Sequence, residues 1–369
     1  MRIQHVITTL DVGGAEMHLL AQVRGQAERG HEPRVAWLKG AGSLREDFRA
    51  AGASAVEKVG FHPGTPLALF GRMRAADVTH SHLLKADMLC AAVAPLARAI
   101  LVSSKHNDER VLERAPVGFV HGMLGRVPKR TIVLSDHVGG FVQQHGRVPR
   151  TRMTRIYYGL DPAPFVAAAA QPQRRAALRA ELGVAEGEVL FVCVARFAPQ
   201  KAHDVLLRGF AAARATGAPV RLLLVGDDPF GDGRGRAERL AGELGLGDTV
   251  HFAGIRRDVP ELLAASDAFV MTSLWEGLGL VFLEAMAAGL PVLATSVSAV
   301  SEVVVHERTG LLVPPSDPEA LARAMGALAA DAELRRRLGT AGTERVVRDF
   351  RLDAMVDQTL AVYAQAVKR

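Results

Sequence analysis

The feature that most constrains this chain is a rhythm. Twelve short runs rich in β-branched and large apolar residues recur from end to end, and stretches of helical apolar spacing lie between them. Strands alternating with helices in this way read as parallel sheets with crossover helices, because each crossover needs a dozen or more residues and packs best as a helix. The runs fall into two series. The first comprises IQHVITT (3–9), PRVAWL (33–38), ADVTHSH (76–82), AILVSS (99–104), RTIVLS (130–135) and MTRIYY (153–158). The second comprises VLFVCVA (189–195), VRLLLVG (220–226), TVHFAG (249–254), AFVMTS (268–273), PVLAT (291–295) and GLLVP (310–314).

Between them GLDPAPFVAAAAQPQ (159–173) carries three prolines and little periodicity, and reads as a linker. A chain of 369 residues exceeds one typical core. The expectation is therefore an α/β protein of two doubly wound domains, 1–165 and 166–350. A helix runs from Pro318 to about Leu338, and a C-terminal helix at about 351–369 is expected to pack back on the first domain. Ligands of such sheets sit at the carboxyl ends of the strands. With two sheets facing each other, the cleft between them is the expected site.

Charge and cysteine usage narrow the partners. The first 165 residues hold 22 basic and 14 acidic residues, and the remainder 23 and 25. A basic front half suits an anionic partner, either a nucleic acid, an acidic glycan or a phospholipid surface. Cys90 and Cys193 lie in apolar stretches without metal-ligand spacing or a disulfide framework, which fits a reducing cytosol. The start MRIQHVITTL reads as a first strand rather than a signal peptide, and no window approaches a membrane span. A mean hydropathy of +0.13 with 23% charged residues is that of a globular chain.

Three stretches carry candidate chemistry. TTLDVGGAEMHLLAQ sets Gly13 and Gly14 between the first strand and the first helix, where backbone amides and the helix dipole favour negative charge. It is not the dinucleotide fingerprint, so a nicotinamide cofactor loses support. FVCVARFAPQKAHDVLLRGF places Arg196 and Lys201 in a loop before a helix, a clamp for a diphosphate. SLWEGLGLVFLEAMAAGLPV (273–292) sets Glu276 and Glu284 eight positions apart in an apolar run, and burying either carboxylate is costly unless something pairs with it. Glu276 falls on the loop after a strand, and Glu284 about one turn into a helix starting at Leu280. Gly277 and Gly279 leave the amides around Leu280 open to a phosphate. Carboxylates accept hydrogen bonds from sugar hydroxyls, so the set suits a diphosphate flanked by two hydroxyl-bearing rings, as in a nucleotide sugar.

With these residues in place, the chain resembles the retaining glycosyltransferases of the GT-B architecture known as family 4. The resemblance rests on GGAE (13–16), AR…K (195–201), LLVGDDP, the Glu276/Glu284 pair, AMAAGLPVLAT and TGLLVPPSDPEALA, and covers nearly the whole chain. It implies that Glu276 contacts the transferred sugar and Glu284 the donor ribose, while Arg196 and Lys201 bind the pyrophosphate and the Gly13–Gly14 loop packs near it. It also implies a histidine beside the reacting sugar. His106 in ILVSSKHND stands at that place, with His80 and His82 near the same end of the sheet. Two departures stand out: TSVSAVSEVV has no glycine or proline from Ser296 to Ser301, and Asp228 stands where glycine is common.

The resulting expectation is a hexosyltransferase-type enzyme moving a sugar, most often from UDP in this family, to a glycan or lipid-linked glycan. No cofactor and no metal are expected, since no two aspartates are two apart as a D-x-D site needs. No nucleic acid partner is expected. VLERAPVGFVHGMLGRVPKRT (111–131) mixes Val117, Phe119, Val120, Met123 and Leu124 with Arg114, Arg126, Lys129 and Arg130, following Arg110. A helix from about Val117 would present an apolar face bordered by cations, suited to an anionic bilayer, or pack as an ordinary crossover helix. The expected location is cytoplasmic, peripheral on the inner face of the membrane if that helix docks. The competing readings are an epimerase or hydrolase of the same fold, a phosphorylase, and a catalytically idle nucleotide-sugar-binding module.

Overall fold

The computed structural model describes residues 1–228 and 231–368. Pro229, the last residue of LLVGDDP, and Arg369, the last of the final segment, lie outside the described residues. The chain forms two compact units, one of residues 1–159 with the terminal stretch from Phe350, the other of residues 160–349.

The first unit is built on seven parallel strands: β1 (Arg2–Thr9), β2 (Glu32–Lys39), β3 (Ala55–Lys58), β4 (Val78–His82), β5 (Leu101–Lys105), β6 (Arg130–Val133) and β7 (Met153–Arg155). Their order in the sheet is β3-β2-β1-β4-β5-β6-β7, so the order reverses between β1 and β4. Alternation along a strand sends neighbours to opposite faces. On β2, Val35 and Trp37 join Ile7, Leu19, Val23 and Phe48 in one core, while Ala36 and Leu38 join Val6, Leu69, Met73 and Leu101 in the other. The terminal helix Leu352–Val367 returns to this unit. It buries Met355, Val356, Val362 and Tyr363, and Asp357 meets Arg29, the residue that caps the first helix at its C-terminus, at 2.7 Å.

The second unit holds six parallel strands: β8 (Val189–Val194), β9 (Val220–Val225), β10 (Val250–Gly254), β11 (Ala268–Met271), β12 (Val292–Thr295) and β13 (Gly310–Val313). Their order is β10-β9-β8-β11-β12-β13, with the reversal between β8 and β11. β8 reads VLFVCV and is buried along almost its length, as a central parallel strand covered on both faces should be. Phe191, Leu206, Phe210, Leu224, Val270, Leu293 and Met325 anchor its core. Cys90 and Cys193 are free and buried, and burial pushes the Cys193 thiol up to about 12.

All twelve sequence-predicted runs are strands, and β3 is a thirteenth that the pattern does not show. The sequence of β3, AVEK, has one buried residue and two exposed charged ones, too short for a visible alternation. The stretch 159–173, expected as a linker, does contain the boundary between the units, at 159/160, but it is not irregular. Helices Ala163–Ala169 and Pro172–Glu181 occupy most of it, and the three prolines serve them: Pro162 caps the first, Pro164 lies in its first turn, and Pro172 opens the second. At a helix start proline loses no intrahelical bond, so a proline cluster marks two helix beginnings here rather than a break. The helix expected from Pro318 to about Leu338 stops at Ala330. Asp331 takes an extended conformation and accepts from the Leu334 amide at 2.8 Å, beginning a separate helix Ala332–Asp349.

Candidate functional site

Each sheet reverses its strand order once, and in open parallel sheets the loops leaving the strands at that point diverge and leave room for a ligand. In the second unit the diverging loops are those after β8 and β11. The first carries Arg196 and Lys201, the second Glu276 to Leu280.

Hydrogen bonds join the two loops. The Gln200 amide donates to the carbonyl of Trp275 at 2.6 Å, and the Leu274 N–H to the Gln200 carbonyl at 2.8 Å. The Thr272 hydroxyl lies 3.1 and 3.0 Å from the carbonyls of Lys201 and Ala202. These contacts hold Ala202 in the left-handed region (φ 46°, ψ 51°), which costs a non-glycine residue about 1–2 kcal/mol. That turn starts the helix His203–Ala215 directly behind Lys201. At the far side, Gly226 of LLVGDD passes so close to the Arg196 loop that a Cβ there would lie 2.0 Å from the Ala195 carbonyl oxygen.

Lys201 and Glu276 form an ion pair across the two loops, with side chains 13% and 7% exposed. Glu276 also accepts from the Ser273 hydroxyl at 2.6 Å. The sequence assigns these residues to different parts of a ligand, yet here they bind each other. A nearly buried pair of this kind presents a cation and an acceptor side by side at the mouth of the sheet. Arg196 is exposed, and among the described residues its side chain has no ion-pair partner. It is the mobile-length cation that a phosphate can recruit without breaking another bond.

Glu284 differs from Glu276. It lies in the helix Leu280–Ala287 among buried Leu280, Phe282, Leu283 and Ala285, and burial pushes its carboxyl up to about 7. Its carboxylate has no partner among the described residues, so it is an acceptor held ready in apolar surroundings. Gly279 precedes this helix at φ 79°, and a Cβ there would meet the Phe282 ring at 2.5 Å. The backbone thus turns directly from buried Gly277 and Leu278 into a helix whose first amides have no intrahelical acceptor. Asp228 accounts for its own departure. Its carboxylate accepts from the amides of Gly231, Gly233 and Arg234 at 3.0–3.3 Å, capping the helix Gly233–Glu243 and filling that helix's N-terminal anion position. Ser298 takes the left-handed turn (φ 46°) in TSVSAVSEVV, the conformation a glycine would adopt freely.

In the first unit Gly13 and Gly14 start the helix Gly14–Glu28 after β1. Gly13 is extended rather than left-handed, and the Glu16 carboxylate folds over it, bonded by the Thr9 hydroxyl at 2.5 Å. The negative charge beside this loop is therefore the chain's own. His106 follows β5, and His82 ends β4; the next residue, Leu83, is strained at φ 67°, ψ 151° as it caps the helix Leu84–Ala97. His80, His82 and His106 are all buried, and both ring nitrogens of His106 are engaged: Nε2 with His82 Nδ1 at 3.0 Å, Nδ1 with the Tyr158 hydroxyl at 3.1 Å. Desolvation, with Lys105 adding to it, lowers His106 to about 3, so its imidazole is neutral.

Several polar residues at this end of the sheet escape sequence reasoning. Lys105 pairs with Asp87, both nearly buried, and also meets His121 Nε2 at 2.9 Å, while Ser81 donates to Asp87 at 2.8 Å. His18 packs against Tyr158 with ring centroids 4.4 Å apart. The available signal was histidines inside strand runs, as His5 is in IQHVITT and His80 and His82 are in ADVTHSH.

The comparisons with known proteins fit this geometry. Residues 12–164 match the model described as Glycosyltransferase Family 4, and residues 174–345 the one described as Glycosyl transferases group 1. Over 238 residues the chain is 36% identical to a D-inositol 3-phosphate glycosyltransferase of Salinispora tropica, matching 62% of this chain and 49% of that protein. The chain thus spans about half the length of such curated relatives. It is 30% identical over 357 residues, 89% of each chain, to a GDP-mannose-dependent alpha-(1-6)-phosphatidylinositol monomannoside mannosyltransferase of Mycolicibacterium smegmatis. Among solved structures, Anabaena Alr3699/HepE in complex with UDP superposes with a TM-score of 0.87 at 24% identity, covering 99% of this chain and 100% of that one, a likeness of fold.

Proposed function

The chain belongs to the group 1 glycosyl transferases, and from that premise we propose that it moves a sugar from a nucleotide-diphosphate sugar to a hydroxyl of an acceptor, with retention at the anomeric carbon. The observation that carries the reading is the meeting of the loops after β8 and β11 at the reversal of the second sheet, where Lys201 pairs with Glu276; Arg196 lies on the first loop, and the helix bearing Glu284 follows the second. Arg196, Lys201 and the first amides of that helix would hold the diphosphate. As the glycosidic bond breaks, negative charge grows on the leaving oxygen, and fixed cations and amide dipoles stabilise it without reorganising. Glu284 would accept from a ribose hydroxyl and Glu276 from the sugar. The transferred carbon is oxocarbenium-like at the transition state, as in glycoside hydrolysis, and the departing phosphate would assist attack from its own face.

UDP is the proposed nucleotide, supported by the UDP bound in HepE; the mannosyltransferase relative, named for GDP-mannose, makes GDP the other base to test. The chemistry assigned to Arg196 and Lys201 replaces a metal, so activity should persist in EDTA. Activity that disappears in EDTA and returns with magnesium would defeat that assignment.

The proposed acceptor is a glycan or lipid-linked glycan reached at a membrane surface. No described helix is long and apolar enough to cross a membrane. The helix Ala115–Leu124, however, turns Gly118, His121 and Gly122 inward and leaves Phe119, Val120 and Met123 exposed. Exposed Arg114, Arg126, Lys129 and Arg147 lie around it, with Arg147 over the Phe119 ring. An apolar stripe rimmed by cations fits an anionic bilayer. Sedimentation with anionic liposomes should fall with neutral lipid or 0.5 M salt. Binding that ignores both, or none at all, would point to a soluble acceptor.

A further inference from the structure

The bonds that hold His106 continue through the sheet. His5 on β1 and His80 and His82 on β4 face the helices Gly14–Glu28 and Leu352–Val367, with His5 and His80 directly paired in register. His106 Nε2 meets His82 Nδ1 at 3.0 Å, His82 Nε2 meets His5 Nδ1 at 3.1 Å, and His5 Nε2 meets the Gln26 amide oxygen at 2.8 Å. The Gln26 amide nitrogen donates to the Tyr363 hydroxyl at 3.4 Å, Tyr363 lies 2.6 Å from His80 Nδ1, and His80 Nε2 lies 2.7 Å from the Ser104 hydroxyl. His5, His80, His82, Gln26, Ser104 and Tyr363 are at most 1% exposed.

A neutral imidazole has one donor and one acceptor nitrogen, so the direction of one bond sets the next. Desolvation keeps these rings neutral: His5 is lowered to about 4, and His80 and His82 well below their ordinary value. The 2.6 Å separation of Tyr363 and His80 is that of an O–H donor, which leaves the Tyr363 oxygen to accept from the Gln26 nitrogen. The Gln26 oxygen therefore faces His5 and can only accept. His5 must carry its proton on Nε2, so its Nδ1 accepts from His82 Nε2–H. His82 Nδ1 then accepts from His106 Nε2–H, and His106 Nδ1 accepts from Tyr158.

We infer that Gln26 is a positioning residue that, through His5 and His82, fixes His106 as the Nε2–H tautomer with Nδ1 an acceptor. A ligand group that displaces the Tyr158 hydroxyl from Nδ1 must then donate a hydrogen bond. A hydroxyl would be read there, and a fluorine or an ether rejected. This consequence rests on the proposed transfer reaction; the tautomer does not. Ligand nitrogens of His5, His80 and His82 also lie within 4.8 Å of one another, a spacing a metal ion could use. A metal would have to break the His5–His82 bond, and the continuous chain of partners leaves no nitrogen of the three unsatisfied.

Long-range proton–nitrogen correlation spectra of the 15N-histidine protein, assigned through the backbone, test this directly, since the two tautomers give different patterns. Wild type should show Nε2–H at His5, His82 and His106, unchanged by equimolar zinc. Tyr158→Phe removes the far end of the chain and should leave that pattern intact. Gln26→Met removes the fixed acceptor and should give mixed or reversed tautomers at all three rings. Nδ1–H at His106 in wild type, zinc-dependent shifts at His5, His80 and His82, or a Gln26→Met spectrum matching wild type would each overturn the inference. On active enzyme, a deoxyfluoro donor series should show at least tenfold discrimination at one sugar position, narrowed in Gln26→Met. Failure of that series alone, with the spectra as expected, would overturn the sugar contact and leave the tautomer standing.

Discussion

Replacing Lys201 by methionine separates what this residue does for the fold from what it does for a ligand. The substitution strands the Glu276 carboxylate, which keeps the Ser273 hydroxyl at 2.6 Å but loses its counter-ion in a site where the two side chains are 13% and 7% exposed. Removing one member of a buried pair costs about 3–5 kcal/mol, and residual exposure with the serine bond favours the lower end, about 3 kcal/mol. For a domain of this size that is a fall of about 6–12 °C in Tm. Adding Glu276→Gln removes the stranded charge, so the double variant should regain most of the loss. Affinity should behave differently. The proposed charge-assisted contact of Lys201 with a diphosphate would be worth about 1.5–3 kcal/mol, or about 10- to 150-fold in Kd, and should be missing from single and double variants alike. Denaturant unfolding and calorimetric titration with UDP measure the two effects on the same samples. Stability losses that simply add would refute the pairing, and affinity restored together with stability would make Lys201 structural only.

Two other substitutions follow the same logic. Arg196→Ala should lower kcat/KM at least tenfold with unchanged Tm, because the exposed guanidinium has no ion-pair partner among the described residues; wild-type turnover would remove it from the diphosphate. Glu284, raised by burial to about 7, would accept from the proposed ribose hydroxyl best when ionised, so nucleotide affinity should rise more from pH 6 to 8 in wild type than in Glu284→Gln, whose profile keeps only the titration of the nucleotide's own phosphate. The same raised value means that, relative to Glu284→Gln, wild-type stability should fall as pH rises from about 4.5 through about 7, where the unfolded chain has released a proton the folded chain retains. Identical pH profiles for the two proteins would contradict the assignment.

The strand series was legible because parallel strands covered on both faces must be apolar throughout, as β8 and β11 are, and because crossovers need helical length. What stayed hidden was hidden for physical reasons. β3 is an edge strand of four residues with two exposed charges. The 159–173 prolines look alike whether they break a chain or begin a helix, and only the dihedrals that follow decide. At the site, the eight-residue spacing of Glu276 and Glu284 showed that carboxylates stood in an apolar run, but not that Lys201, 75 positions away, would bind one of them while the other found no partner among the described residues. The histidine chain was least visible. Its histidines sit on two neighbouring strands and on the loop that follows the next, and nothing in local spacing joins His5 to His106; only the register of β1 against β4 and of β4 against β5 does.

Retaining transfer is measured by following a panel of nucleotide sugars by proton NMR with and without candidate glycan and lipid-linked acceptors, reading nucleotide diphosphate release and the anomeric coupling of the product together. Release should depend on acceptor, with the donor's anomeric configuration kept in the product. Release at the same rate without acceptor, or a product of inverted configuration, would contradict it.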